Sequence, residues 1–291
     1  MDFYVKFWGT RGSIPTPGDR TRKYGGNTSC VEIRFGDHLY ICDAGSGIRE
    51  LGADLLTRGK IPITGHLFFS HAHWDHIQGF PFFGPADVAG NRFLIYGAKP
   101  GDDRFFHLLS GQMKSDYFPI GFGALRAEIN SDHLDDGRKE IGGVLVRCFP
   151  LNHPGGCLGY AFSHRAKKIV FATDNEIEAD SSGPETEGAP RLRLARSALL
   201  EFVRDSDLLI ADGQYTDAEY QSKKGWGHTS CLTAVDLAIQ AGVRQLAIFH
   251  HDPSHADSIV DEIIESCRSR VNRLGAKTIV FAAREGVELA V

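Results

Sequence analysis

The chain has 291 residues, of which 42% are hydrophobic and 24% charged, with a formal net charge of −5. That balance describes a soluble globular protein whose core is large enough to need no disulfide or metal staples. The acidic excess argues against a broad nucleic-acid surface, which needs clustered Lys and Arg. No apolar run approaches the roughly eighteen residues of a membrane-spanning helix.

The chain opens Met1-Asp-Phe-Tyr-Val-Lys-Phe-Trp8, which lacks the basic region, apolar stretch and cleavage site of a signal peptide. It reads as a first strand, and a cytoplasmic protein is expected. Further strand-like runs follow at Cys30–Phe35, His38–Cys42, Leu67–Ser70, Arg92–Tyr96, Val144–Phe149, Gly159–Ser163 and Lys168–Ala172. The series ends with Asp207–Ala211, Gln245–Phe249, Thr278–Phe281 and Gly286–Ala290. Helical patterns interleave at Ile48–Thr57, Arg104–Met113, Leu192–Arg204, Thr229–Ala241 and Asp257–Leu274. Strands and helices in this alternation predict two packed sheets covered by helices. With no linker, repeat or low-complexity tract, residues 1–291 read as one domain. Residues 97–136, rich in Gly, Phe and Pro, are expected to be an irregular insertion capping the active site. Residues 176–190 are expected to be a surface loop. The six cysteines (Cys30, Cys42, Cys148, Cys157, Cys231, Cys267) lack C-x-x-C spacing and read as buried hydrophobes. Only Cys157, four residues after His153, is a candidate to approach a metal. The basic cluster Arg191–Arg196 reads as a solvated helix face.

Residues 71–76 spell His-Ala-His-Trp-Asp-His, directly after the strand-like run Ile63–Ser70. Three imidazoles and a carboxylate at a strand end are ligands on a loop held by a rigid scaffold. Neutral imidazole and carboxylate oxygen are the donors that Zn²⁺ and similar cations accept. Further along, His153, Asp174, Asp212 and His250 each follow a buried apolar strand. Singly these are weak signals, since strand ends are full of polar residues; four of them beside the six-residue cluster form a strong one. Trp74 and Trp226 flank the candidate residues and could stack on a base or pack their own loops.

With these residues and with Gly25-Gly-Asn-Thr-Ser29, Ile41-Cys-Asp-Ala-Gly45, Phe171-Ala-Thr-Asp174, Leu209-Ile-Ala-Asp212 and Gly227-His-Thr-Ser230, the chain resembles the metallo-β-lactamase-fold hydrolase superfamily. Within it the phosphodiesterase branch that includes tRNase Z and cyclic-nucleotide phosphodiesterases is most similar. The resemblance implies an α/β fold, a four-layer αββα sandwich of two mixed sheets flanked by helices. It implies two divalent metal ions, Zn²⁺ first with Mn²⁺ or Fe²⁺ as alternatives. His71, His73 and His153 would hold one, Asp75, His76 and His250 the other, and Asp174 would bridge them with a water or hydroxide. His251 adjoins His250, but strand alternation lets only one of the two point inward, and His250 is preferred. His228 and Asp212 match the acid–base dyad of tRNase Z-like enzymes; alternatively Asp212 only caps a turn and His228 only caps a helix. Asp75, His228 and Asp212 are the expected catalytic residues. A homodimer is a further implication of the likeness.

Two divalent cations about 3.5–4 Å apart clamp a phosphoryl centre and lower the pKa of bound water to roughly 7. The expected activity is therefore cleavage of a small phosphodiester, such as a 3′,5′-cyclic nucleotide, by a metal-bridging hydroxide, with no stable nucleic-acid or membrane partner. The resemblance implies that a tRNA-processing enzyme would carry a long gripping arm between His153 and Asp174, where this chain has room only for two strands and a turn. Lactone or thioester hydrolysis of the glyoxalase II kind shares the bridging carboxylate and stands as an alternative, as does a non-catalytic metal-stabilised binding module.

Overall fold

The computed structural model describes residues 3–59, 62–97, 103–177 and 192–291. In chain order the elements are β1 (Phe3–Gly9), β2 (Cys30–Phe35), β3 (His38–Cys42), α1 (Ile48–Thr57), β4 (Thr64–Phe68), α2 (Trp74–Ile77) and β5 (Arg92–Gly97). Next come α3 (Arg104–Gln112), β6 (Glu128–His133), β7 (Arg138–Ile141), β8 (Val144–Leu151), β9 (Cys157–His164), β10 (Lys167–Ala172) and α4 (Ser197–Val203). The series closes with β11 (Leu208–Asp212), α5 (Asp217–Tyr220), α6 (Cys231–Gln240), β12 (Gln245–Phe249), α7 (Asp257–Arg273), β13 (Ile279–Ala282) and β14 (Glu288–Ala290).

These strands form two seven-stranded mixed sheets, ordered β14-β1-β2-β3-β4-β5-β6 and β13-β12-β11-β10-β9-β8-β7. In each, one half is antiparallel and the other, β3 to β6 or β10 to β13, is parallel. Alternation along the strands places one apolar set between the sheets, where Phe7, Tyr40, Phe68, Tyr160, Phe162, Phe171 and Phe249 interdigitate. The outer face of the first sheet carries α1 and α3 through Leu51, Leu55, Phe105 and Leu109. The outer face of the second carries α4, α6 and α7 through Phe202, Val235, Ile263 and Ile264. Helix, sheet, sheet and helix make the four-layer αββα sandwich.

Strand pairs joined in parallel point their carboxyl ends the same way, and ligands in open α/β sheets gather at such ends. The ends of β3, β4, β10, β11 and β12 lead respectively into Asp43, His71, Asp174, Asp212 and His250.

The structure departs from the sequence reading in several places. Of the 97–136 segment expected to be irregular, Glu128–His133 is β6, an edge strand parallel to β5. Its sequence, EINSDH, has no apolar alternation because neither face is fully buried. The edge strand β7, RKEI, was equally silent. Charged edges of this kind discourage further strand pairing. β4 begins at Thr64 and ends before Ser70, because the Ser70 amide and hydroxyl turn toward Asp43. The helix expected from Leu192 starts at Ser197. Its upstream Arg193 is pinned by Asp217 at 2.8 Å and by the Ser230 and Thr233 hydroxyls at 3.1 and 2.8 Å. Arg191 and most of the 176–190 loop lie outside the described residues.

A buried ion pair ties the two long outer helices: Arg270 of α7 donates through Nε and Nη2 to Asp236 of α6 at 2.9 and 2.8 Å. Removing one partner leaves the other charge buried and uncompensated. Asp236→Ala is therefore expected to cost about 3–5 kcal/mol of stability in urea unfolding; a loss below about 1 kcal/mol, the range of an exposed pair, would show that solvent reaches Arg270.

Candidate dinuclear metal centre

The strand-end loops bring the predicted residues into one space, all of them buried except His73. His71, His73 and His153 present ligand atoms within 4.8 Å of one another, as do His71, His76 and Asp174, and also Asp75, His76 and His250. His73 Nδ1 and His153 Nε2 face each other at 3.1 Å. Asp75 Oδ2 lies 3.1 Å from His250 Nε2 and 3.2 Å from His76 Nε2. Asp174 stands between the two groups, with its oxygens 3.8 Å from His71 Nε2, 3.4 Å from His76 Nε2 and 3.4 Å from His250 Nε2.

The rings are held from behind. His76 Nδ1 meets Asp43 Oδ2 at 2.7 Å, His153 Nδ1 meets the Gly227 carbonyl at 2.8 Å, and His250 Nδ1 meets Gln214 Oε1 at 2.9 Å. His71 Nδ1 meets Ser70 Oγ at 3.1 Å. With the outer nitrogen engaged, the inner nitrogen is the one left to act as a donor atom. Among the described residues the buried Nε2 atoms of His71 and His76 form no hydrogen bond, His76 Nε2 meeting the two carboxylates only as an ion pair; a buried polar atom without one is costly. Convergent, desolvated imidazole and carboxylate donors with fixed outer hydrogen bonds fit a pair of divalent cations.

Local backbone geometry supports this convergence. Asp43, Asp174, His250 and Ser13 all have positive φ (62°, 53°, 60° and 63°), four of the seven non-glycine cases among the described residues. Such conformations cost energy and persist where the surroundings dictate them. The Ser13 amide donates to Asp75 Oδ2 at 2.6 Å. Gly12 is required beside it, since a Cβ there would fall 2.4 Å from the His250 ring.

Electrostatics follow from the crowding. Burial, aided by the His76 charge, pushes the His71 imidazole down to about 2. Burial opposes charge on Asp75 and Asp174, yet neighbouring imidazoles outweigh it and hold both carboxyls well below their ordinary range. The Asp212–His228 pair sits against the same space. Asp212 Oδ2 lies 2.6 Å from His228 Nδ1, which is itself 3.8 Å from Asp174 Oδ1. Burial lowers the His228 pKa, but Asp212 overrides it and raises the value to about 9. Asp212 also caps its own turn, its Oδ1 accepting from the Gln214 amide at 2.9 Å. The helix cap expected as one alternative for His228 belongs instead to Ser230, which accepts from the Thr233 amide.

His251 turns away from the site to the Ala283 carbonyl at 2.9 Å. Cys157 Sγ faces the Thr173 carbonyl at 3.5 Å and joins no ligand cluster among the described residues.

A family model described as the beta-lactamase superfamily domain matches residues 38–251. The chain belongs to this family. A relative, the ribonuclease Z of Methanosarcina acetivorans, is 29% identical and covers 88% of this chain and 89% of its own. Among solved structures, the metallo-beta-lactamase fold protein YhfI from Bacillus subtilis superposes with a TM-score of 0.70 at 17% identity, covering 100% of both chains. Yeast PDE1 superposes with a TM-score of 0.66 at 15% identity, covering 100% of this chain and 99% of its own. As a member of the superfamily the chain is a hydrolase. No helix among the described residues is long and apolar enough to cross a membrane.

The sequence reading missed the supports of the site. Asp43 accepts from Ser29 Oγ, Ser70 Oγ and the Ser70 amide at 2.9, 2.9 and 2.8 Å while meeting His76. It follows a buried strand as Asp174 does, so the same signal marked it. Gln214 and the Gly227 carbonyl carried no such mark. Trp74 and Trp226 are 67% and 58% exposed, and the Trp226 ring meets Lys223 Nζ of its own loop at 4.4 Å.

Outer-shell partners of metal ligands are worth about 10–100-fold in metal affinity or activity. Asp43→Asn is expected to weaken metal retention by that factor in chelator competition, and an unchanged affinity would remove Asp43 from the site. The pH behaviour of the Asp212–His228 pair has a definite sign. A histidine raised from 6.5 to about 9 stabilises the fold fully below 6.5 and loses that contribution as pH rises toward 9. In metal-free protein the stability advantage of wild type over His228→Gln should therefore shrink between pH 6 and pH 10. An advantage growing with pH would contradict the pairing.

Proposed function

We propose that the chain is a dinuclear metal-dependent phosphodiesterase acting on a small phosphodiester, with 3′,5′-cyclic nucleotides as the leading substrate class. The observation that carries this reading is the Asp212–His228 pair, 2.6 Å long and set against Asp174. The thiolate released from a thioester needs no such proton donor, whereas the alkoxide leaving group of a phosphodiester does.

His71, His73 and His153 would hold one cation, Asp75, His76 and His250 the other, and Asp174 would place negative charge between them. When bound, such a pair supplies Lewis acidity at phosphorus and an acidified water. The chain's own residues do the rest. The Ser13 amide and the imidazoles of His76 and His250 keep Asp75 ionised and fixed. Asp212 accepts the Nδ1 proton of His228, which leaves Nε2 as the site of the transferable proton. In its protonated form that imidazole serves as general acid as the phosphorus–oxygen bond breaks. The departing oxygen takes the Nε2 proton, and Asp212 keeps the ring in register throughout.

A small substrate suits the short connection between His153 and Asp174, which consists of β9, a tight turn and β10, and it suits the net charge of −5. The whole chain is read as one domain, with residues 103–127 walling the pocket, since Gln112 Nε2 donates to the Ile77 carbonyl at 3.0 Å just beyond the 71–76 cluster. Trp74 and Trp226 offer exposed rings on which a nucleobase would stack. A second reading, 3′ processing of RNA, is favoured by the relatives named ribonuclease Z over most of the chain's length.

Purified metal-loaded protein tested on cyclic mononucleotides, bis(p-nitrophenyl) phosphate, a 3′-extended tRNA, a lactone and a thioester separates these readings by kcat/KM. The first reading requires the highest value on a cyclic mononucleotide, and a preference for the tRNA would replace it with the second. His228→Ala should slow the cyclic nucleotide by about 10²–10⁴-fold, the usual worth of general acid catalysis, and slow the activated aryl diester far less. Equal losses on both would argue against the general-acid role.

A further inference from the structure

Glu176 lies two residues beyond Asp174, and none of the roles assigned above uses it. Its side chain is buried against the loop that precedes α6. The Gly225 amide reaches its two oxygens at 2.8 and 2.9 Å, the Gly227 amide donates at 2.9 Å and Tyr220 Oη donates at 2.8 Å. Gly225 and Gly227 both have φ of +85°, which turns their amides toward one point. Two convergent amides of this kind make an anion-binding concavity, and Glu176 fills it from within the chain. Burial raises the carboxyl pKa, but these donors more than offset it and hold the group ionised.

The gripped loop has two further attachments. Gly227 offers its carbonyl to His153 Nδ1 at 2.8 Å, and the next residue is His228. A Cβ on Gly227 would fall 2.2 Å from His153 Nδ1, so the backbone approaches the ring as closely as the chain allows. The Glu176 backbone is tied in turn to the segment bearing His153. Its amide donates to the Asn152 carbonyl at 2.8 Å, Asn152 Nδ2 donates to the Glu176 carbonyl at 2.9 Å, and the Asn152 amide donates to Asn175 Oδ1 at 3.0 Å. One carboxylate thus joins the segments that carry His153, Asp174 and His228.

We propose that Glu176 is a positioning residue whose carboxylate, through the Gly225–Gly227 backbone, sets the orientation of both His153 and His228. The His228 half rests on the phosphodiesterase reading; the His153 half rests only on the donor cluster. A residue that merely stapled the loop would affect stability alone. A positioning residue changes what its dependents do, by about 10–100-fold for metal affinity.

The test compares wild type, Glu176→Gln, Glu176→Asp and Tyr220→Phe. The first readout is Zn²⁺ affinity by competition with a chromophoric chelator, and the second is kcat on a cyclic mononucleotide relative to bis(p-nitrophenyl) phosphate. Glu176→Gln is expected to weaken Zn²⁺ binding at least tenfold and to lower the kcat ratio at least fivefold, with Glu176→Asp and Tyr220→Phe between it and wild type. Affinity and ratio both within twofold of wild type, in a folded Glu176→Gln protein, would overturn the proposal. Should that variant not fold, the charge-keeping Glu176→Asp carries the test, and wild-type values there would overturn it equally. A wild-type protein inert on every phosphodiester would sink the proposed function while leaving the affinity comparison decisive for Glu176 and His153.

Discussion

The site depends on one constraint: several imidazole nitrogens and two carboxylates converge on one largely buried space, and nothing among the described residues neutralises all of them at once. Four rings are locked from outside, His71 by Ser70, His76 by Asp43, His153 by the Gly227 carbonyl and His250 by Gln214, which keeps their inner nitrogens aimed at the shared space. The orphaned Nε2 atoms of His71 and His76 record the consequence. Desolvated donors without acceptors are costly. Two cations would turn that cost into binding free energy, which couples metal retention to folding stability. The positive-φ residues at Asp43, Asp174 and His250 point the same way. Strain held at three donor-bearing or donor-orienting positions is sustained by the sandwich around it.

Much of this was legible in the sequence where burial wrote a period into it. α1, β2, β3 and β12 have the bounds expected from their apolar patterns, because each is packed on a core face. β6 and β7 were silent because an edge strand with polar faces has no period to show. Eight of the residues expected at the site were visible because they lie at or just after the end of an apolar strand, and His228 only through the family likeness; the structure brings all nine, from His71 to His250, into one space. What sequence could not show is contact made through backbone. The Gly227 carbonyl behind His153 and the paired amides that grip Glu176 are products of dihedral angles that no side-chain pattern encodes. Asp43 is different, since its strand-end signal equals that of Asp174.

Because the proposed ligands come from both sheets, the centre lies where the two halves of the sandwich meet. The 71–76 cluster follows β4 of the first sheet, whereas His153, Asp174 and His250 follow β8, β10 and β12 of the second. Apolar packing between the sheets holds their mean separation but resists sliding poorly, being non-directional. Placing donor atoms to a few tenths of an ångström calls for directional bonds across the join.

Tyr160 Oη and the Leu158 amide of the second sheet donate across the join to the Phe69 and Ser70 carbonyls at 2.7 and 2.8 Å, and Arg11 supplies further such bonds. It is fully buried, on the loop after β1 of the first sheet. Its Nε donates to the Gly25 carbonyl at 2.8 Å, and its Nη1 donates to the His255 and Asp252 carbonyls at 2.8 and 3.2 Å, beyond β12 of the second sheet. Asp257 lies 3.5 Å from its Nη2. Burying a guanidinium is costly unless its fork of donors is satisfied, and here carbonyls from both halves satisfy it. The backbone that follows lays Gly12 on the His250 ring and aims the Ser13 amide at Asp75. Arg11 thereby joins the other cross-sheet bonds in setting the distance between a carboxylate from one sheet and an imidazole from the other, which apolar packing alone would leave loose.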